Sequence, residues 1–595
     1  MTERIYRDTD FSDPEAVCDV VMKGGITSGA VYPLALVELA KRYRFAQIGG
    51  TSAGAIAAAA AAAAEYGRHV PGKGFMRLTL LPAEMGRSLF KWFQPSLAVA
   101  PIFGMLVAML RAKSTPGKYA ALLWTAIWGF RWLALLFAVI AAAVAYLAWR
   151  YAHVGDLAFG ILLTLTGLFA GVLVGLYRAA TIHLPANNYG LCPGITQKGH
   201  QHPGFTDWLA DLIDDTAGRT PGRDDPLTFG DLAAPGNDRP SIGLQMMTTN
   251  LMMSRPYSLP FDTENYKFKR DDFERIFPKR IVDYLVRNSQ RFTATSGEEG
   301  EYYTLPPADK LPVVVAARMS LSFPILISAV PLYTLDYTLK KEFRETLKLC
   351  LFSDGGLSSN FPIHLFDHML PNRPTFGISL GEYDWQRDRN SNSPGDANNA
   401  SVNRVWMPRP DQTGSGSLLP IAPIDGLVGF LYRLVNAAKD WQDNMQGTLA
   451  GSRDRIVNVF LTPNEGGLNI TMPSRLVDTL GEYGAFAGDK LCTEFDLDEH
   501  RWRRFLVAMD RFDHTAREFI EAYEKRPGAP GSFSEFLQKY PSNAKSYKSA
   551  LLRLPDLVQR AADLADLARK WRDQTPIPDA HLPSPKTDLR VTPRC

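Results

Sequence analysis

Cysteine is scarce in this chain and follows no pattern. Cys18, Cys192, Cys350, Cys492 and Cys595 are five, odd in number and far apart. That excludes a disulfide framework and a cysteine-held metal cluster, and it suits a reducing compartment. An excess of one charge is also lacking. The net charge is +3 and no dense Lys/Arg tract stands out, so nothing argues for a nucleic-acid partner. The first fifteen residues are charged and lack the apolar stretch of a secretory signal. Histidine offers no catalytic motif. His364 and His368 are spaced i,i+4 but no H-E-x-x-H pattern exists, and they read as surface residues on a helix after a turn. His69 and His514 read as exposed polar positions. No internal repeat is visible.

What is present is a long, mostly globular chain. Its 595 residues, 46% apolar and 21% charged, exceed one ordinary core and imply two or more domains. Residues 17–22 read as a first strand, followed by the glycine-rich turn Lys23-Gly24-Gly25-Ile26-Thr27-Ser28-Gly29 and a helix over 30–43. Residues 44–48 read as a second buried strand. It runs into Gly49-Gly50-Thr51-Ser52-Ala53-Gly54, and an alanine-rich helix follows. The alternation predicts a parallel sheet with helices on its faces. Gly50 to Gly54 is a G-x-S-x-G pattern in the strand–turn–helix context that a nucleophile elbow requires. The glycines permit the sharp turn, and Ser52 is left at a helix N-terminus. Taken alone, the pattern also fits a glycine turn with Ser52 as an ordinary N-cap.

Two stretches break the soluble pattern. Residues 132–149 and 157–177 carry no charge, and each is long enough to cross a hydrocarbon core of roughly 30 Å. Trp132 and Trp149 end the first, as in interfacial belts. The short polar link between them predicts a helical hairpin. Arg111, Lys113, Lys118, Arg131 and Arg178 lie outside it, against Arg150 in the link, which places the globular parts in the cytoplasm. Residues 92–110, interrupted by Pro95, Pro101 and Gly104, read as an interfacial or lid helix. Further on, 242–249 and 349–352 read as strands, 273–288 as a helix, and 375–380 as a strand. Residues 382–417 read as a polar loop, 426–445 as a helix, 455–461 as a strand, and 473–491, 502–525 and 543–572 as helices, with a loose tail from 574.

A serine hydroxyl needs a base and a site for the oxyanion. The turn at Gly24-Gly25 offers backbone N–H groups at the end of the first strand, beside the end of the second where Ser52 stands. Asp354 closes the strand-like run 349–352 and is followed by Gly355 and Gly356. A carboxylate there can take the serine proton directly, although Asp-Gly is also a common turn.

The set of glycine loop, G-x-S-x-G and D-G-G, in that order, resembles the patatin-like phospholipase family. Residues 316–324 resemble the family's small-residue stretch before the aspartate strand, and Asn360 and Pro362 resemble its sequel. The resemblance implies an α/β, patatin-like three-layer fold with a mostly parallel central sheet. Here it carries an inserted transmembrane helical hairpin and a mainly helical C-terminal region. It implies Ser52 as nucleophile, Asp354 as base, Gly24, Gly25, Ile26 and the Ala53 N–H as oxyanion donors, and Gly50, Gly54, Gly355 and Gly356 as motif glycines. This chain departs from the family in two ways. Ile26 stands where a third glycine is usual and Ser28 where a basic residue is usual. Ser52 and Asp354 are 302 residues apart, and the hairpin lies in the excess.

The expected layout is therefore a catalytic domain split over 1–75 and 311–463. A membrane-associated insertion covers 76–185, a substrate-side region 186–310, a helical region 464–573 and a tail 574–595. The expected function is a membrane-anchored serine acyl hydrolase, a phospholipase A or lysophospholipase. It would act without metal or cofactor on phospholipid or lysophospholipid of an adjoining bilayer. The alternatives are a membrane-tethered lipid-binding or scaffold protein that has lost turnover, and an esterase for neutral or soluble esters.

Overall fold

The computed structural model describes residues 4–574 except 26, 113, 235, 237–238, 262–264, 293–299, 341–345, 384–403, 409–423, 425, 463, 468, 525–530, 540 and 542–544. Ile26, most of the polar loop read over 382–417, and the tail beyond 574 therefore lie outside the described residues.

Fourteen strands are described. They are β1 Ala16–Met22, β2 Tyr43–Gly50, β3 Gly190–Cys192, β4 Gly243–Asn250, β5 Arg255–Leu259, β6 Lys267–Lys269 and β7 Arg291–Phe292. The rest are β8 Tyr302–Thr304, β9 Ile325–Ile327, β10 Val330–Leu335, β11 Leu347–Asp354, β12 Thr375–Glu382, β13 Val405–Trp406 and β14 Ile456–Leu461. Twelve form one sheet in the order β13-β14-β12-β1-β2-β4-β11-β10-β6-β8-β7, with β5 also on β4, while β3 pairs with β9. The fold is mixed α/β.

The mostly parallel sheet expected above is corrected. Only β14-β12-β1-β2-β4 run parallel; β4-β11-β10-β6-β8-β7, β4-β5 and β13-β14 are antiparallel. The connections decide this. A parallel return needs a crossover of a dozen or more residues. The helices Tyr32–Ala40 and Ser474–Thr493 belong to the parallel part, whereas β4 reaches β5 through residues 251–254 alone.

The parallel half brings the loops together. Met22 pairs with Gly50, and Gly50 with Met246, so β1, β2 and β4 reach one level side by side. Asp354, the last residue of β11, pairs with Thr248 of β4. The helix Ala53–Tyr66 lies on one face, with every alanine buried. On the helix Tyr32–Ala40 packs the far C-terminal helix Ser474–Thr493. A Cβ on Gly484 would lie 1.8 Å from the Val31 carbonyl oxygen, so only glycine permits that approach.

The two uncharged stretches are helices Arg131–Ala152 and Leu157–Arg178, packed against one another, and both are long and apolar enough to cross a membrane. The interfacial or lid helix expected over 92–110 is corrected. Helix Leu81–Trp92 ends where the expected one begins and Pro95 separates it from helix Ala100–Arg111. Trp92, Phe93, Val99 and Phe103 are buried in the main core, and Trp92 stacks on Trp208 at 3.8 Å. The helix read over 273–288 is two, Arg270–Glu274 and Lys279–Arg287, divided at Pro278.

Candidate active site

Ser52 sits between β2 and the helix Ala53–Tyr66 with φ 58° and ψ −125°, a left-handed backbone that a serine adopts only when its surroundings impose it. The surroundings are tight. A Cβ on Gly50 would lie 2.2 Å from the Gly54 carbonyl oxygen, and one on Gly54 would lie 2.4 Å from that of Met22. The backbone therefore folds back on itself at the only residue type that fits, which is why G-x-S-x-G makes an elbow here. From below, the Ser52 N–H donates to Ser320 Oγ at 3.2 Å, and that hydroxyl donates to the Met247 carbonyl at 2.6 Å.

Asp354 is buried at the end of β11. Its N–H donates to the Ser322 carbonyl at 3.0 Å, and its Oδ1 accepts the Gly356 N–H at 2.7 Å. Thr249 Oγ1 donates to its carbonyl at 3.0 Å. A Cβ on Gly355 would lie 3.0 Å from Thr51 Cγ2 and 2.0 Å from the Met247 carbonyl oxygen. The residue after the aspartate thus abuts the residue before the serine, although 302 positions separate Asp354 from Ser52 in the chain. Nothing in the intervening sequence fixes that approach; the β2–β4–β11 order does.

The glycine loop is pinned at three points. Gly24 N–H donates to the Asn360 carbonyl at 2.6 Å, Tyr32 Oη donates to the Lys23 carbonyl, and Thr27 Oγ1 donates to the Gly467 carbonyl at 3.0 Å. Asn360 also lies beside Gly356: a Cβ on Gly356 would lie 3.0 Å from Asn360 Oδ1, and one on Gly24 would lie 2.2 Å from it. The loop and the aspartate turn therefore meet at Asn360.

Two of the expected oxyanion donors, the N–H groups of Gly24 and Ala53, are engaged inside the protein. The Gly24 N–H is spent on Asn360. The carbonyl of Gly25 accepts the Ser52 hydroxyl at 2.8 Å and the Ala53 N–H at 3.2 Å. A hydroxyl has one proton to donate, so the serine's is directed at Gly25 in this conformation.

Three supporting residues escape a motif search. Arg318 is wholly buried and donates to Thr206 Oγ1, Ser322 Oγ and the carbonyls of Pro193 and Ser328, at 2.7 to 3.1 Å. Burial among these neutral acceptors pushes its guanidinium below the usual arginine range, to about 9. Through Ser322 it shapes the floor under Asp354. Ser320 and Asp443 are the others. The Asp443 carboxylate accepts the Asn360 N–H at 2.5 Å and the Phe361 N–H at 2.7 Å. Its signal in the sequence is only an acidic residue on a helix otherwise apolar on one face.

His364 and His368 lie on the exposed surface, His364 in a short 3-10 turn, in place of the helix expected for them. No group of three or more His, Cys, Asp or Glu side chains placed to hold a metal occurs among the described residues.

Fold and site together define an α/β protein with a serine at a strained strand–helix turn and an aspartate turn packed against it. Comparison with known proteins then gives its family. The chain is 34% identical over 567 residues to the RpoH suppressor of Rhizobium meliloti (strain 1021), covering 84% of this chain and 86% of that protein. It belongs to the same family as that protein, whose name states no reaction. No family model matches the sequence. Among solved structures, VipD from Legionella pneumophila is 12% identical with a TM-score of 0.27, over 94% of this chain and 86% of that one. ExoU of the Pseudomonas aeruginosa type III secretion system, in complex with SpcU, is 14% identical with a TM-score of 0.21, over 90% and 69%. Likeness at that level carries no argument about this site.

Proposed function

We propose that the chain is a patatin-like, membrane-anchored serine acyl hydrolase that cleaves carboxyl esters of phospholipid or lysophospholipid. The observation that carries the reading is the strained Ser52 backbone at an elbow with the Asp354 turn packed against it. Ser52 Oγ attacks the ester carbonyl carbon while Asp354 takes its proton. The tetrahedral intermediate collapses, the alcohol leaves with that proton, and an acyl-enzyme remains. Water, deprotonated by Asp354, then releases the fatty acid. The oxyanion needs donors, and Ala53 N–H is one only after the Gly25 carbonyl turns away from it. Turnover therefore requires a rotation of the peptide after Gly25, with Gly25 and Ile26 supplying further N–H groups while the Gly24 N–H stays on the Asn360 carbonyl. The two exposed apolar helices anchor the protein in the bilayer that holds its substrate, with the globular part in the cytoplasm.

The test is labelling by a fluorophosphonate probe, with fatty-acid release from phospholipid vesicles beside it. Wild type should be labelled and Ser52→Ala should not; an unlabelled wild type, or labelling that survives Ser52→Ala, removes the mechanism. A second reading is supported by the Gly25 carbonyl, which engages both the serine and its neighbour: a tethered lipid-binding protein without turnover. Fatty-acid release that disappears in Asp354→Asn would exclude it.

A further inference from the structure

The helix Gly426–Thr448 carries an exposed apolar stripe. Leu427, Phe430, Leu434, Ala437, Trp441 and Met445 follow helical spacing along one face, and all six are exposed. Leu427 is 73% exposed and Trp441 62%. Asp443 falls on the opposite face and is buried. The side that carries Asp443 thus meets the protein while the stripe looks away from it. That side is also tied to the site. Asp443 anchors the backbone of Asn360 and Phe361, and Asn360 in turn holds Gly24.

We infer that this apolar face lies in the headgroup layer of a lipid bilayer, and that lipid contact steadies the 359–361 segment beside Ser52 and Asp354. The second half of the inference rests on the acyl-hydrolase reading; the first does not. Two observations choose a bilayer over another protein. The stripe spans about 27 Å and is about 10 Å wide. That is roughly 270 Å², well short of the roughly 800 Å² per partner that a stable dimer buries. The same chain carries two exposed helices long and apolar enough to cross a membrane. Leu, Phe and Trp along one exposed stripe are the side chains by which a helix lies in the interface plane.

The experiment uses the full-length chain with Ser52→Ala, Cys492→Ser and Cys595→Ser, reconstituted in phosphatidylcholine vesicles. A nitroxide is placed at Leu434→Cys or, as a reference in water, at Arg501→Cys, whose side chain is 57% exposed in the structure. The inference expects oxygen to reach the 434 label more readily, and a polar nickel complex less readily, than the 501 label. Equal access of the nickel complex to both overturns it. So does dipolar broadening between 434 labels, which would place a second copy on the face, or shielding of 434 from both reagents, which would place another part of the chain there. A second arm uses active protein. Leu434→Glu with Trp441→Glu should lower fatty-acid release from vesicles about tenfold and leave a soluble short-chain ester within about twofold. An equal fall on both substrates would make the helix a plain support and overturn the coupling. If wild type hydrolyses neither, the acyl-hydrolase reading and its coupling fail, while label accessibility still decides the bilayer contact.

Discussion

The elbow helix Ala53–Tyr66 and the hairpin helices Arg131–Ala152 and Leu157–Arg178 are all strongly apolar, yet they meet opposite fates. In the first, alanine fills nearly every position and every alanine is buried between layers. In the second, the side chains that point out are large: Trp132 is 74% exposed, Leu162 65% and Leu157 81%. Apolar content alone does not say where a helix goes; side-chain size does. Small side chains let a helix lie close against a sheet with backbone nearly touching backbone, whereas bulky ones facing out leave a large apolar surface uncovered by the rest of the protein.

The sharpest way to break that contrast is to place one methyl in each region. In Gly50→Ala the new carbon would lie 2.2 Å from the Gly54 carbonyl oxygen, part of a backbone that cannot yield. We expect a loss of about 3 kcal/mol or more, seen as failure to fold or as a collapsed denaturation midpoint. In Gly160→Ala the nearest atom is Ala145 Cβ at 4.0 Å. That variant should stay within about 0.5 kcal/mol of wild type. Equal effects would mean that the elbow is looser than its contacts state.

The second prediction removes the outward helices. Replacing residues 131–178 by a short polar linker should yield protein that is monodisperse by size-exclusion chromatography without detergent, while the full chain needs detergent. A monodisperse full chain in plain buffer would assign the two helices to a soluble assembly.

The same contrast explains which parts the sequence discloses. Ser52 was legible because strand, glycines and alanine helix are adjacent in the chain, and local spacing is what a sequence displays. The hairpin was legible because its signal is length without charge. Asp354 is a candidate as a carboxylate that ends a strand-like run before two glycines, and the resemblance to a D-G-G pattern implies its role as base; the approach of its turn to Thr51 is set by strand order and has no local signal. The antiparallel half was missed because β6, β7 and β8 have two or three residues each, too short for alternation to register. The orientation of the Gly25 peptide has no sequence signal at all, and Asp443 is one buried acid on a helix with apolar residues on both sides.

A third prediction concerns the region that joins the C-terminal helices to the sheet. Burial pushes the Asp454 carboxyl up, but His500 at 2.9 Å and Arg503 at 2.7 Å outweigh it and hold it below the usual carboxylate range. Burial also pushes Asp367 up, and Arg455 and Arg504 likewise bring it below that range. A carboxylate with a depressed folded-state pKa contributes stability above its unfolded value near pH 4, and loses it as pH falls through the folded value. Denaturation midpoints should therefore be flat from about pH 5 upward and fall below about pH 4. Asp454→Asn should cost about 3 kcal/mol at neutral pH and flatten the acid limb. An unchanged acid limb would show that these pairs do not hold the C-terminal helices in place.

The smallest effect tests the elbow from beneath. Ser320 Oγ accepts the Ser52 N–H and donates to the Met247 carbonyl, so it links the strained serine to the middle of β4. Ser320→Ala leaves both partners buried and unpaired, at a cost of about 1 kcal/mol in stability. On the acyl-hydrolase reading, if the left-handed backbone at Ser52 depends on that bond, the variant should lose kcat by about tenfold with KM little changed, because Ser320 is wholly buried beneath the elbow. Ser320→Thr retains the hydroxyl and should recover most of the rate. Loss of stability without loss of kcat would instead make Ser320 a core residue, and would leave the elbow to be held by Gly50 and Gly54 alone.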